Sequence, residues 1–150
     1  MITYSTVTKY MTTKAFFDTN VLLYAFTRQT GSPLDRRTDK AEEIMSSGGV
    51  LSVQVLNEFS DVASRKSKLS WEKIAELLQI IEALCGRALP ITAETHDTAV
   101  NISRLHGYRI YDSLILAAAI QAGCTTVYSE DMQHLQTIDK LTIVNPFLTQ

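Results

Sequence analysis

Cysteine is scarce in this chain: Cys85 and Cys124 are the only two among 150 residues. Two thiols with apolar neighbours form neither a disulfide framework nor a thiolate metal site, and read as core cysteines. No basic region followed by an apolar segment stands near Met1, and the longest apolar run, Leu114 to Ile120, is too short to cross a bilayer. These absences argue against a small secreted scaffold and a membrane span, and make a reducing cytoplasm the expected setting. An overall basic balance is also missing, since the formal net charge is −2 and the pI is near 5.9. That counts against tight nonspecific attachment to polyphosphate. Local clusters remain (Arg36-Arg37, Arg65-Lys66-Ser67-Lys68, and Arg104 to Arg109), either as phosphate contacts or as solvated surface. His96, His106 and His134 have no metal-ligand spacing, and no nucleophilic triad stands out.

What is present fits one globular domain, because 45% hydrophobic residues in a chain of this length can bury a full core. Residues 1–13 are polar and weakly patterned, and read as an arm, a vector remnant or an upstream start; the domain is expected over 14–150. Ala15 to Tyr24 reads as a buried strand with Asp18-Thr19-Asn20 at its edge. Gly31-Ser32-Pro33-Leu34-Asp35 signals a loop, and Asp39 is a candidate cap for a helix carrying Ala41, Ile44 and Met45 that stops at Gly48-Gly49. Val50 to Ser52 is a short strand. The next helix places Val55, Phe59 and Val62 on one stripe with Glu58 at its margin. Trp71, Ile74, Leu78, Ile81 and Leu84 form the core stripe of another, capped by Ser70 and stopped by Gly86. Ala88 to Ile91 reads as a strand. Thr95 or Asp97 opens a helix through Val100 and Ile102 that ends near Gly107, and Tyr111, Leu114, Ile115 and Ala118 make a face of the following one, closed by Gly123. Cys124 to Tyr128 is a strand, Met132 to Ile138 is helical, and Leu141 to Val144 is the last strand. Alternating strands and helices imply a mostly parallel sheet covered on both faces, with sites outside the strands' carboxyl ends.

That rule makes neighbours of four acidic residues. Asp18 and Asp131 follow strands, Glu58 rides the first part of a helix, and Asp112 lies in the first turn of another, where the dipole favours negative charge. Each has a plainer reading: Asp18 as a turn cap, Glu58 as a helix-surface carboxylate, Asp112 and Asp131 as ordinary helix-start or loop residues. Glu58 has no cation at i+3 or i+4, whereas Asp61 pairs with Arg65 at the favourable spacing and belongs to the surface. Four carboxylates gathered at one edge repel one another unless a cation intervenes, and a divalent ion would serve.

Phe17-Asp18-Thr19-Asn20-Val21-Leu22, Glu58 in Leu56-Asn57-Glu58-Phe59, Tyr111-Asp112-Ser113-Leu114-Ile115, and Ser129-Glu130-Asp131 resemble a PIN domain, over about Lys14 to Phe147. The chain looks most like the compact VapC-type toxins of toxin–antitoxin pairs. The resemblance implies a three-layer α/β/α sandwich around a central, mostly parallel sheet. It also implies a Mg2+- or Mn2+-dependent endoribonuclease specific for single strands, in which Asp18, Glu58, Asp112 and Asp131 are catalytic and metal-binding. Asp18 and Asp112 are the foremost ligands. Thr19 or Asn20, and Ser129, match supporting polar positions that orient a carboxylate or water, or else form local turns. External water as nucleophile gives products with a 5′-phosphate and a 3′-hydroxyl. A cognate antitoxin and a homodimer are the implied partners, with no membrane. The initial segment departs from short toxins, whose first Asp lies close to the start.

Two other functions stand beside the toxin: a PIN nuclease of RNA processing without an antitoxin, and a non-catalytic PIN module that docks a partner. A phosphatase or receiver domain ranks below these, because Asp18-Thr19-Asn20 lacks a second Asp two residues on.

Overall fold

The computed structural model describes residues 14–27 and 36–148. The polar segment 1–13 and the loop signal Gly31 to Asp35 lie outside the described residues. Strand β1 is Phe16–Phe17, followed by helices α1 (Thr19–Phe26), α2 (Arg36–Ser46), α3 (Val53–Arg65), α4 (Trp71–Cys85), α5 (Ala93–His106) and α6 (Ile110–Gln121). Strands β2 (Thr126–Tyr128), β3 (Thr137–Ile138) and β4 (Leu141–Val144) complete the chain. The sheet order is β1-β2-β4-β3, with β1, β2 and β4 parallel and β3 antiparallel on the edge. The mostly parallel α/β architecture expected from the alternation of elements is therefore the one found.

Register follows from burial. Phe16 sits opposite Val127 and Phe17 opposite Tyr128, while Val127 pairs with Ile143. Phe16, Phe17, Val127 and Ile143 are fully buried, as expected where helices cover both faces of a sheet. The Val50 to Ser52 segment pairs as isolated parallel bridges, Val50 to Phe16 and Ser52 to Leu89, so the strands expected at 50–52 and 88–91 shrink to single-residue contacts. Gly49 is required there. A Cβ at this position would lie 2.8 Å from the Ala15 carbonyl oxygen and overlap the Phe17 ring.

Four expectations need correction. Val21, Leu22 and Leu23 belong to α1 and not to the first strand, because Asp18 caps a helix immediately after Phe17: its Oδ1 accepts from the Thr19 N–H at 2.7 Å. Met132 to Ile138 is not helical; Leu135 has φ +66°, and Thr137–Ile138 turns back through Asp139 at φ +53° to pair with β4. On α4, Ser70 and Gly86 cap as expected, but Trp71 and Leu84 are exposed and Leu77 joins Ile74 and Ile81 inside. The rotation is a turn-geometry effect: the buried stripe runs 74, 77, 81, and residues at either end drift off it. Finally, Thr92 caps α5, not Thr95 or Asp97. Its hydroxyl accepts from the Thr95 N–H while Thr95 Oγ1 accepts from the Thr92 N–H, a reciprocal capping box.

Candidate active site

Parallel pairing of β1 with β2 places the residues that follow them on one edge of the sheet. The Asp18 N–H donates to the Tyr128 carbonyl at 3.0 Å and the Ser129 N–H to that of Val144 at 3.0 Å, so both residues extend the ladder by one step. Phe17 and Tyr128 stack at 6.2 Å between ring centroids just below them. At that edge the Ser129 hydroxyl donates to Asp18 Oδ2 at 2.7 Å, across 111 residues of sequence. Ser129 is fully buried, and its Oγ also accepts from the Met132 N–H at 3.3 Å, which fixes the start of the loop carrying Asp131.

Each neighbouring polar side chain ties one carboxylate to another element. Thr19 Oγ1 donates to Glu58 Oε2 at 2.7 Å, joining α1 to α3. Asn20 Nδ2 lies 3.1 Å from Asp131 Oδ2 and 3.5 Å from Asp18 Oδ2, while its Oδ1 accepts from the Glu130 N–H at 3.2 Å. Gln54, one turn before Glu58 on α3, donates to Glu58 Oε1 at 3.2 Å. Reading the sequence missed Gln54, since a glutamine four residues from a glutamate is common on solvated helix faces; here it is buried. Glu130, next to Asp131, turns away to a separate network: Tyr24 Oη donates to its Oε1 at 2.6 Å and Arg37 Nε to its Oε2 at 3.0 Å. Arg37 of the basic pair thus contacts a carboxylate.

The electrostatics report how close the four acidic groups come. Asp18 is only 3% exposed. Burial pushes its pKa from 3.8 to about 7 against the lowering effect of the Ser129 and Thr19 hydrogen bonds, and the charges of Glu58 and Asp112 push it further up. Half-buried Asp112 is raised by burial first and then by Glu58, with Arg109 opposing and Asp131 adding a smaller push. Asp18 thus feels the charges of Glu58 and Asp112, Asp112 those of Glu58 and Asp131, and Asn20 bridges Asp131 to Asp18.

The donor set is hard oxygen throughout, the chemistry that Mg2+ and Mn2+ select. Among the described residues no three His, Cys, Asp or Glu side chains are already disposed as a metal cage. Mg2+ commonly uses one or two protein carboxylates and keeps several waters, so a site for it does not require three acidic side chains. The high pKa of Asp18 shows a negative charge undercompensated by its three hydrogen-bond donors, the condition a cation relieves.

Fold and crevice together define an α/β protein with an acidic centre at the carboxyl end of a parallel sheet. A family model described as the PIN domain matches residues 15–141, and the chain belongs to that family. Among solved structures, a toxin–antitoxin complex from Klebsiella pneumoniae superposes with a TM-score of 0.66 at 17% identity, covering 89% of this chain and 98% of that one. FitAcB from Neisseria gonorrhoeae gives 0.61 at 24% identity, with 89% and 98% covered. The VapC toxin of Mycobacterium tuberculosis that cleaves the sarcin–ricin loop gives 0.61 at 18%, with 78% and 89% covered. No curated protein sequence matches the chain. At these identities the likeness speaks for the fold. No helix among the described residues is long and apolar enough to cross a membrane.

Proposed function

We propose that this chain is a divalent-metal-dependent endoribonuclease acting as the toxin of a type II toxin–antitoxin pair. One observation carries the reading: buried Asp18, bonded by Ser129 where β1 and β2 end, lies next to Thr19, whose hydroxyl holds Glu58, and within reach of the charge of Asp112. Supporting it are membership of the PIN family, whose members generally use divalent ions, and the toxin–antitoxin complexes among the structural neighbours.

In this reading Asp18 and Asp112 hold Mg2+ or Mn2+, with Glu58 and Asp131 completing the acidic quartet. When bound, such an ion neutralises charge gathering on the scissile phosphate and eases deprotonation of the attacking water. The protein supplies orientation. Ser129 and the Thr19 N–H fix the two Asp18 oxygens, Thr19 Oγ1 and Gln54 fix those of Glu58, and Asn20 fixes Asp131. Carboxylates locked this way accept a proton from water with little reorganisation. In this reading Arg109, whose charge reaches Asp112, meets a neighbouring phosphate. Single-stranded RNA is the substrate in this reading, in line with membership of the PIN family. A homodimer, a cognate antitoxin that blocks the crevice, and a cytoplasmic setting with Cys85 and Cys124 as free thiols belong to the same reading.

The test is cleavage of a structured RNA by the purified chain in Mg2+, in EDTA, and with Asp18→Asn and Asp112→Asn. Cleavage should require the ion and fall at least a hundredfold in each variant. Undiminished Mg2+-dependent activity in both would remove the assignment.

A further inference from the structure

Beside Asp131, an open cavity of about 720 Å³ lies between the α5–α6 turn and the loop after β2, lined by His106, Tyr108, Asp131, His134, Leu135 and Gln136 among others. Its size falls in the range of about 300–1,000 Å³ typical of small-molecule pockets. The walls are ordered by a hydrogen-bond relay. Tyr108 Oη donates to Gln136 Oε1 at 2.5 Å and accepts from the Gln133 N–H at 3.2 Å, so the phenol uses both capacities within the protein. With its oxygen taken, Gln136 presents its amide NH2, which lies 3.4 Å from His106 Nδ1 and has a second N–H to offer. His134 Nδ1 accepts from the Asn145 N–H at 3.0 Å, which leaves the proton of the neutral ring on Nε2.

The pocket is thus lined by two exposed histidines, His106 and His134, and by the side-chain amide of Gln136, all carrying N–H donors. Leu135 adds an apolar rim: it is 64% exposed and held at φ +66°, a conformation costly for a branched residue and kept in place by its N–H bonding to Ile143 O at 2.7 Å. Flat rings for stacking, side-chain N–H donors and the adjoining Asp131 carboxylate match one ligand chemistry. We infer that this pocket takes the unstacked base of a nucleotide next to the scissile phosphate and prefers guanine, whose O6 and N7 accept two hydrogen bonds. Adenine would set its N6 amino group against those donors. The inference rests on the ribonuclease reading for its place beside the cut, and names the residues that give it base preference.

The test uses fluorescein-labelled RNA decamers, one all adenosine and one with a single central guanosine, followed by anisotropy in EDTA so that no strand is cut. The native chain should bind the guanosine decamer about tenfold more tightly. Gln136→Leu and His134→Ala should each bring that decamer down to the level of the all-adenosine one. Tyr108→Phe, which removes only the hydroxyl that orients Gln136, should lose part of the preference while melting as a folded protein. Equal binding of both decamers by the native chain, or an unchanged preference in the variants, would overturn the pocket. A native chain that prefers guanosine yet cleaves no RNA in Mg2+ leaves the pocket standing and refutes the nuclease instead; cleavage without base preference does the reverse.

Discussion

Replacing Asp18 by Asn should stabilise the metal-free protein at pH 8 and do nothing useful for it at pH 5. A rise from 3.8 to about 7 means that, above neutrality, ionised Asp18 opposes folding. At about 1.4 kcal/mol per pKa unit this amounts to about 4 kcal/mol. Asparagine keeps the oxygen that accepts from the Thr19 N–H but sets an amide nitrogen where Ser129 and Asn20 now donate. The Ser129 hydroxyl can rotate to accept, so the mismatch costs about 1–2 kcal/mol and the net gain is about 2 kcal/mol. For a domain of this size that raises Tm by about 4–8 °C. The sign follows from linkage. Between pH 3.8 and about 7 the folded state holds a proton that the unfolded state has released, so native stability falls as pH rises through that window. Near pH 5 the folded Asp18 is neutral and only the cost of taking up its proton remains, about 1.6 kcal/mol, which the amide mismatch offsets, so the variant's net advantage disappears. Thermal melts of both proteins in EDTA at the two pH values read this directly. A variant less stable than the native chain at pH 8, or a difference independent of pH, would refute the argument from buried charge.

Added Mg2+ should raise the Tm of the native chain at pH 8 and leave that of Asp18→Asn nearly unmoved; a saturation of about a hundredfold over Kd corresponds to about 2.7 kcal/mol in a melt. Because protonation of Asp18 competes with the cation, Mg2+ affinity measured by titration calorimetry should weaken as pH falls below about 7, and a flat profile would disconnect Asp18 from the ion. Ser129→Ala removes a bond to a buried carboxylate and the Met132 N–H partner, so chemical denaturation should show a loss of about 1.5–3 kcal/mol, and the pH midpoint of cleavage should move upward. Gly49→Ala should cost about 1–3 kcal/mol in the same assay with activity per folded molecule retained, since its new methyl meets Phe17 and the Ala15 carbonyl and no part of the crevice.

The sequence disclosed the parallel α/β plan because its strands are short apolar runs separated by helices with clear stops, such as Gly86 and Gly107. It concealed α1. Val21, Leu22 and Leu23 form an apolar run too short to distinguish strand from helix by periodicity, and the deciding feature was the capping bond of Asp18, which required the structure. The helix read over Met132 to Ile138 failed on two non-glycine residues at positive φ, Leu135 and Asp139, that local propensity does not foresee. The approach of Asp18 to the β2 end, where Ser129 and Asp131 follow, could be anticipated from the rule about strand ends. The hydrogen bonds that hold the carboxylates could not, because Thr19 meets Glu58 across 39 residues and Asn20 meets Asp131 across 111.

Those spans carry a consequence for synthesis of the protein. β1 leaves the ribosome early, yet its partner strand and Ser129 emerge only after most of the chain has been translated. β1 can pair with Val50 long before then, but Asp18 has no Ser129 to bond and Asn20 no Asp131 to hold, so the hydrogen bonds that orient the carboxylates close last.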